Sequence, residues 1–180
     1  VGAATCQDCH GNRHEEWAAT AHAEALEALK AIGQGANAEC LPCHTVGFGQ
    51  TDGFVDEGAT PGLAGVQCEN CHGAGREHVE AARADATNPA VLPVVDISAN
   101  VCGACHQDTH HPNFEQWSES AHSQIDENVE EDLLAGGAFV GNCGNCHSGD
   151  VFVMSRVWGQ TVPEDLFAGA AAEDLNPVSC

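Results

Sequence analysis

Over residues 14–32 the apolar positions recur at helical spacing. Alanine, glutamate and leucine dominate there, and Ala25, Leu26, Leu29 and Ile32 fall on one stripe. The stretch predicts a helix that carries His22 and is ended by Gly33 and Gly35. Residues 45–65 lose that period. Gly47, Gly49, Pro61 and Gly62 predict loop with short extended pieces. Helical pattern returns from His78 to Arg83. A proline-containing linker over residues 88–93 follows, then a short apolar run, Val94-Val95-Asp96-Ile97. An acidic helical stretch reaches about Leu134 and stops at Gly136-Gly137.

The pattern also repeats. Trp17-Ala-Ala-Thr20-Ala-His22 is echoed by Trp117-Ser-Glu-Ser120-Ala-His122. Leu63-Ala-Gly-Val66-Gln-Cys68 is echoed by Leu175-Asn-Pro-Val178-Ser-Cys180. These echoes predict an internal duplication, with halves at 1–100 and 101–180.

Chemistry enters with the cysteines. Cys-x-x-Cys-His occurs five times, at Cys6/Cys9/His10, Cys40/Cys43/His44, Cys68/Cys71/His72, Cys102/Cys105/His106 and Cys143/Cys146/His147. Chance predicts ~0.04 copies in 180 residues holding 11 cysteines and 11 histidines. This spacing is the attachment signature of haem c: two thiols add to the vinyl groups of one porphyrin, and the adjacent imidazole reaches the iron. Five haems are expected. By the repeat, Cys180 is expected to open a sixth motif, the chain stopping inside it. The plainer alternative is a thiol at a C-terminus. Zinc ribbons use four ligands and have no need of a histidine after every pair. Disulfide scaffolds and iron–sulfur sites likewise leave the histidines unexplained.

Five haems in 180 residues leave 36 residues for each. So short a chain builds little core of its own, so the porphyrins are expected to supply much of the buried apolar surface and the apoprotein to be largely unfolded. The fold expected is mainly α with much irregular loop and little β, wrapped around a chain of haems. Net charge is −22, with 27 acids, four arginines and one lysine, Lys30. That excludes nucleic acid as a natural partner and argues against anionic lipid surfaces. The acidity matches either a halophile, where salt screens self-repulsion, or a surface kept soluble or matched to a cationic partner. No apolar run is long enough to span a bilayer. Because such haems are attached outside the cytoplasmic membrane, export before attachment is expected, to the periplasm or the cell exterior. Val1 reads as a mature, already cleaved N-terminus.

Five histidines serve as proximal ligands: His10, His44, His72, His106 and His147. Six remain as distal candidates: His14, His22, His78, His110, His111 and His122. The count nearly closes for five bis-histidine irons, an arrangement that favours electron transfer over ligand chemistry. Met154 is the only methionine and can serve one iron at most. Pro112 holds His111 extended, which predicts that His110 and His111 splay apart.

The text Trp17-x-x-Thr20-x-His22, Cys40-Leu-Pro-Cys43-His44-Thr45-Val46-Gly47, Gly65-Val66-Gln67-Cys68-Glu-Asn-Cys71-His72-Gly73-x-Gly75-x-x-His78 and Cys102-Gly-x-Cys105-His106 resembles the tetrahaem cytochromes that accept electrons from hydroxylamine oxidoreductase. The resemblance covers about half of the chain. It implies that His78 ligates the first haem and His22 the third, so that two closely stacked haems exchange ligands. It also implies an open distal side at the haem of His44. The fifth motif departs from the tetrahaem pattern. Three functions follow as expectations: an extracytoplasmic electron carrier, which is no enzyme; a subunit of an extracellular filament, with copies of itself as partners; and a reductase of a nitrogen or sulfur oxyanion. Another redox protein is the expected partner of the carrier. No lysine follows a motif pair in the position such reductases use.

Overall fold

The computed structural model describes residues 1–108 and 110–179; Cys180, the expected start of a sixth motif, lies outside the described residues. The chain divides into two compact units, Val1–Asp96 and Ile97–Cys180. Both are helical and loop-rich. Extended pairing among the described residues is a lone antiparallel bridge, Thr45 to Ala64, so the mainly α expectation holds.

The first unit contains α1 (Ala3–Gln7), α2 (Gly11–Ala18), α3 (Ala25–Ala31), α4 (Leu41–His44), α5 (Cys68–His72) and α6 (Arg76–Ala84). The apolar stripe of α3 buries Ala25, Leu26 and Leu29. Leu26 and Leu29 pack with Leu41 of α4 and Phe54 from the following loop. Ile32 does not join them. It lies beyond the helix and is 71% exposed, because Gly33, with φ of 75°, turns the chain away.

The single helix expected over residues 14–32 is broken. Residues 19–24 form a turn between α2 and α3, and His22 stands in that turn rather than on a helix. The cause is local and tertiary together. The Thr20 amide and hydroxyl both donate to the Trp17 carbonyl, at 2.9 and 2.7 Å, which competes with helix continuation. The Val66 amide then donates to the His22 carbonyl at 2.9 Å. Gly65 makes this approach feasible: its φ is 83°, and a Cβ there would stand 2.6 Å from the Ala23 carbonyl oxygen.

The second unit contains α7 (Ala99–Gly103), α8 (Asn113–Ser118), α9 (Glu127–Ala135), α10 (Ala138–His147) and α11 (Gly149–Phe152), the last continued by a π-helical turn, Val153–Val157. Asp126 caps α9 by accepting from the Asn128 amide. Leu133, Val140, Val151, Phe167 and Leu175 form its apolar core. No helix among the described residues is long and apolar enough to cross a membrane.

Candidate cofactor site

In the first unit, the segment around the third motif is tied to the start of the chain. Gln67 Oε1 accepts from the Ala3 amide at 2.6 Å. Glu69 accepts from the Gly2 amide at 2.9 Å and from the Gly75 amide at 2.8 Å. Burial works to raise the Glu69 carboxyl, but the hydrogen bonds from the Val1 amino group and these two amides outweigh it and hold the group below its ordinary value. Asn70 donates to the Thr45 carbonyl at 3.0 Å, just past the second motif. The residues between and beside the third pair of cysteines therefore fasten α5 to α1 and to the end of α4.

One consequence is that Cys6 and Cys68 lie side by side. Burial pushes the Cys6 thiol up to about 11, and the adjoining Cys68 sulfur adds to the rise. The Cys71 thiol is raised as well, by the protein atoms around it and then by Cys68, although the residue as a whole is exposed. No group of three His, Cys, Asp or Glu converges as a metal site among the described residues, and none of the ten described cysteines is in a disulfide. The geometry gives paired thiols beside histidines rather than a tetrahedral cage.

The motif cysteines, alike in the sequence, are not alike in the structure. Cys6, Cys40, Cys43, Cys68, Cys102, Cys105 and Cys143 are half-buried, whereas Cys9 and Cys146, like Cys71, are exposed. The reasons are local. Cys9 lies past the end of α1, in the turn whose amides return to the Cys6 carbonyl. Cys146 lies in the last turn of α10, whose buried face carries Val140 and Gly144. Two residues on from Gly144 is a rotation of about 200°, which sets Cys146 on the opposite, solvent-facing side. The first, third and fifth pairs thus each combine one half-covered thiol with one at the surface.

Cys6, His10, His14, Cys68, His72, His78 and Pro93 line one cavity of about 240 Å³. Across it, the rings of His10 and His78 have centres 6.3 Å apart and planes inclined by 24°. Metal–imidazole bonds run about 2.0–2.1 Å for zinc and a ring nitrogen lies about 1.1 Å from the ring centre, so two imidazoles on opposite sides of one metal have centres about 6.2–6.4 Å apart. The observed spacing falls within that window. A hollow of about 440 Å³ in the second unit, bordered by residues 134–137 and by Glu164, Asp165 and Ala168, contains neither thiol nor imidazole.

Three histidines are held by backbone carbonyls, each through Nδ1 at 2.8 Å: His44 to Ala25, His72 to Val94 and His78 to Val91. A carbonyl only accepts, so Nδ1 carries the proton and Nε2 keeps its lone pair. This is the tautomer an iron ligand needs, fixed by the kind of partner that metal-bound histidines commonly have. Residues beside paired thiols, with Nδ1 anchored on carbonyls and one ring pair at the right span, fit haem c.

The remaining candidates are placed as follows. His22 is exposed in its turn, where its carbonyl meets Val66, two residues before Cys68. His14 packs edge-on against Trp17 at 5.2 Å. In the second unit Phe114 takes that place against Trp117, at 5.5 Å. His106 and His111 face each other at 5.8 Å with planes 70° apart. His110 donates its amide to Asp108, and His122 donates its amide to Ser120. His147 ends α10.

Sequence reasoning missed two features. The carbonyls of Ala25, Val91 and Val94 orient three imidazoles, and a backbone acceptor leaves no trace in a sequence. The second is the role of the tryptophans. Trp17 Nε1 donates to the Val66 carbonyl at 2.7 Å, and Trp117 Nε1 donates to the Val178 carbonyl at 2.7 Å. The repeated Trp was visible, but its partner was not.

Comparison with known proteins agrees with the motifs. Residues 5–73 match the family described as cytochrome c554 and c-prime, a span that includes the first three motifs. Cytochrome c-554 of Nitrosomonas europaea is 32% identical over 132 residues, covering 58% of this chain and 56% of that protein. The chain thus spans little more than half the length of that relative. No solved structure gives a significant match. The chain resembles the cytochrome c554 and c-prime group of multihaem c-type cytochromes, the likeness being carried by residues 5–73 and by the alignment to the Nitrosomonas protein.

Proposed function

We propose that the chain is an electron-transfer cytochrome working outside the cytoplasmic membrane, with haem c at each of its five Cys-x-x-Cys-His motifs and a redox protein as partner. When bound, each haem supplies one-electron exchange at its iron. The protein's part is to hold the groups close and fix their ligands. The observation that carries this reading is the His10–His78 pair, 6.3 Å apart across a cavity lined by Cys6 and Cys68. His78 is then the distal partner of His10. His72, in the same cavity, brings the third site against the first, and two sites sharing one cavity suit rapid transfer between them.

His22 belongs to the third site in this reading, because its turn is bonded to the segment that leads into Cys68. In the second unit, His106 and His111 have ring centres 5.8 Å apart, short of the span of two ligands on one metal, and their nearness assigns His111 to the distal side of His106 in this reading. His14, replaced in its packing role by Phe114, is an aromatic support rather than a ligand. The two indole-to-carbonyl bonds support the duplication. They dock the segment before Cys68 and the segment before Cys180 in the same way, which sets His122 in the role of His22. Replacing His78 with Ala tests the reading. Relative to the unaltered protein, the ferric spectrum should gain a high-spin component equivalent to one of five haems, and an unchanged high-spin content refutes the assignment.

A further inference from the structure

We infer that residues 91–94 are a positioning strap that sets the ligand strength, and so the reduction potential, of two different haems at once. The inference rests on the reading that His78 and His72 ligate the first and third irons.

Both imidazoles donate Nδ1–H to this one segment, His78 to the Val91 carbonyl and His72 to the Val94 carbonyl, each at 2.8 Å. The second attachment is doubled, since the Val94 amide donates back to the His72 carbonyl at 3.1 Å. Three residues of chain span at most about 10 Å, so both ligands are referred to one short, common support. That support is stiff for a reason visible in its sequence, Val91-Leu92-Pro93-Val94. Pro93 fixes its own φ, and it confines Leu92 before it to extended backbone. Pro93 and the restriction it places on Leu92 therefore narrow the range of distances open to the two accepting carbonyls. The side chains do little of the holding: Leu92 is 72% exposed and Val94 59% exposed, while Pro93 faces the cavity.

A hydrogen bond from Nδ1–H to a carbonyl raises the basicity of the imidazole, which strengthens its donation to iron and favours the oxidised state. Loosening the strap should weaken that donation and raise the potential. Because one segment serves both ligands, the two potentials should move together when the whole strap relaxes. They should separate when only one end is released.

The test uses the haem-loaded protein and three substitutions. Pro93→Gly frees the spacing while leaving both carbonyls and the Val94 amide in place. Val94→Pro removes the amide that latches onto His72. Leu92→Ala changes only an exposed side chain. Peptide mass spectrometry and the low-spin spectrum first establish that haems are attached and that those of His10 and His72 are six-coordinate, which tests the underlying ligand reading separately. Spectroelectrochemical titration then reads each midpoint. Pro93→Gly should shift two haems upward by up to tenfold in oxidised-to-reduced ratio, 59 mV for a one-electron couple. Val94→Pro should shift one, and Leu92→Ala none. In the unaltered protein, the Nδ1 protons of both His72 and His78 should exchange slowly with deuterium, as should that of His44, which donates to Ala25 outside the strap; this measurement needs no variant to fold. Fully loaded, low-spin Pro93→Gly protein with unchanged midpoints, or fast exchange of both protons in the unaltered protein, overturns the inference.

Discussion

Replacing Trp17 or Trp117 with Phe removes one indole N–H and keeps most of the ring. Each indole donates to a backbone carbonyl at 2.7 Å, Val66 in one unit and Val178 in the other, at partly buried sites. A hydrogen bond of this kind contributes about 1 kcal/mol net, and an acceptor left without a partner raises the cost toward about 3 kcal/mol when it is sealed from water. Partial burial lets water reach the carbonyl, which keeps the expected loss near the lower figure. For units the size of Val1–Asp96 and Ile97–Cys180, about 1 kcal/mol corresponds to a melting shift of about 4–8 °C. Far-ultraviolet circular dichroism of the loaded protein reads the shift. Because the two bonds have the same length and the same type of partner, the two losses should agree within a factor of about two, the usual context spread. A loss in either variant no larger than that of an ordinary surface substitution, about 0.5 kcal/mol, refutes the docking role given to that tryptophan.

Other outcomes follow from charge and ligand geometry. Twenty-seven acids face five cations, and Lys30 already bridges Glu27 and Glu57, so melting temperature should rise from low to molar salt; a steady fall would exclude the halophile reading. Glu69 is held below its ordinary value in the folded chain, so its contribution is present above about pH 4.5 and fades as pH falls through the folded value. Glu69→Gln should therefore flatten the acid limb of a stability–pH curve, and an unchanged limb contradicts that role. His111→Ala should create a five-coordinate haem at the fourth motif, whereas His110→Ala should leave that haem low-spin; the reverse result reassigns the pair.

Much of the site was legible because its chemistry is written in side chains at fixed spacing. The five motifs, and the Trp-x-x-Ser/Thr-x-His echo at Trp17 and Trp117, needed no coordinates. The fold was legible where one face met a core, as at Leu26 and Leu29. It was misread at residues 19–24, where alanine-rich composition favours helix but Thr20 and the Val66 amide impose a turn. Pattern cannot show a bond made by a residue more than forty positions away. Nor does a motif show how far its thiols are covered: Cys9 and Cys146 share the spacing of Cys43 and Cys105 but not their burial. The linker at 88–93 is a connector as its composition marks it, but composition does not show that its Val91 carbonyl, with that of the adjoining Val94, accepts from His78 and His72.

Peptide-resolved mass spectrometry of the native protein bears most directly on the reading of this chain as a five-haem conductor. Each peptide containing Cys6/Cys9, Cys40/Cys43, Cys68/Cys71, Cys102/Cys105 or Cys143/Cys146 should carry the mass of one covalently bound haem. Unmodified thiols at any of these pairs would contradict it.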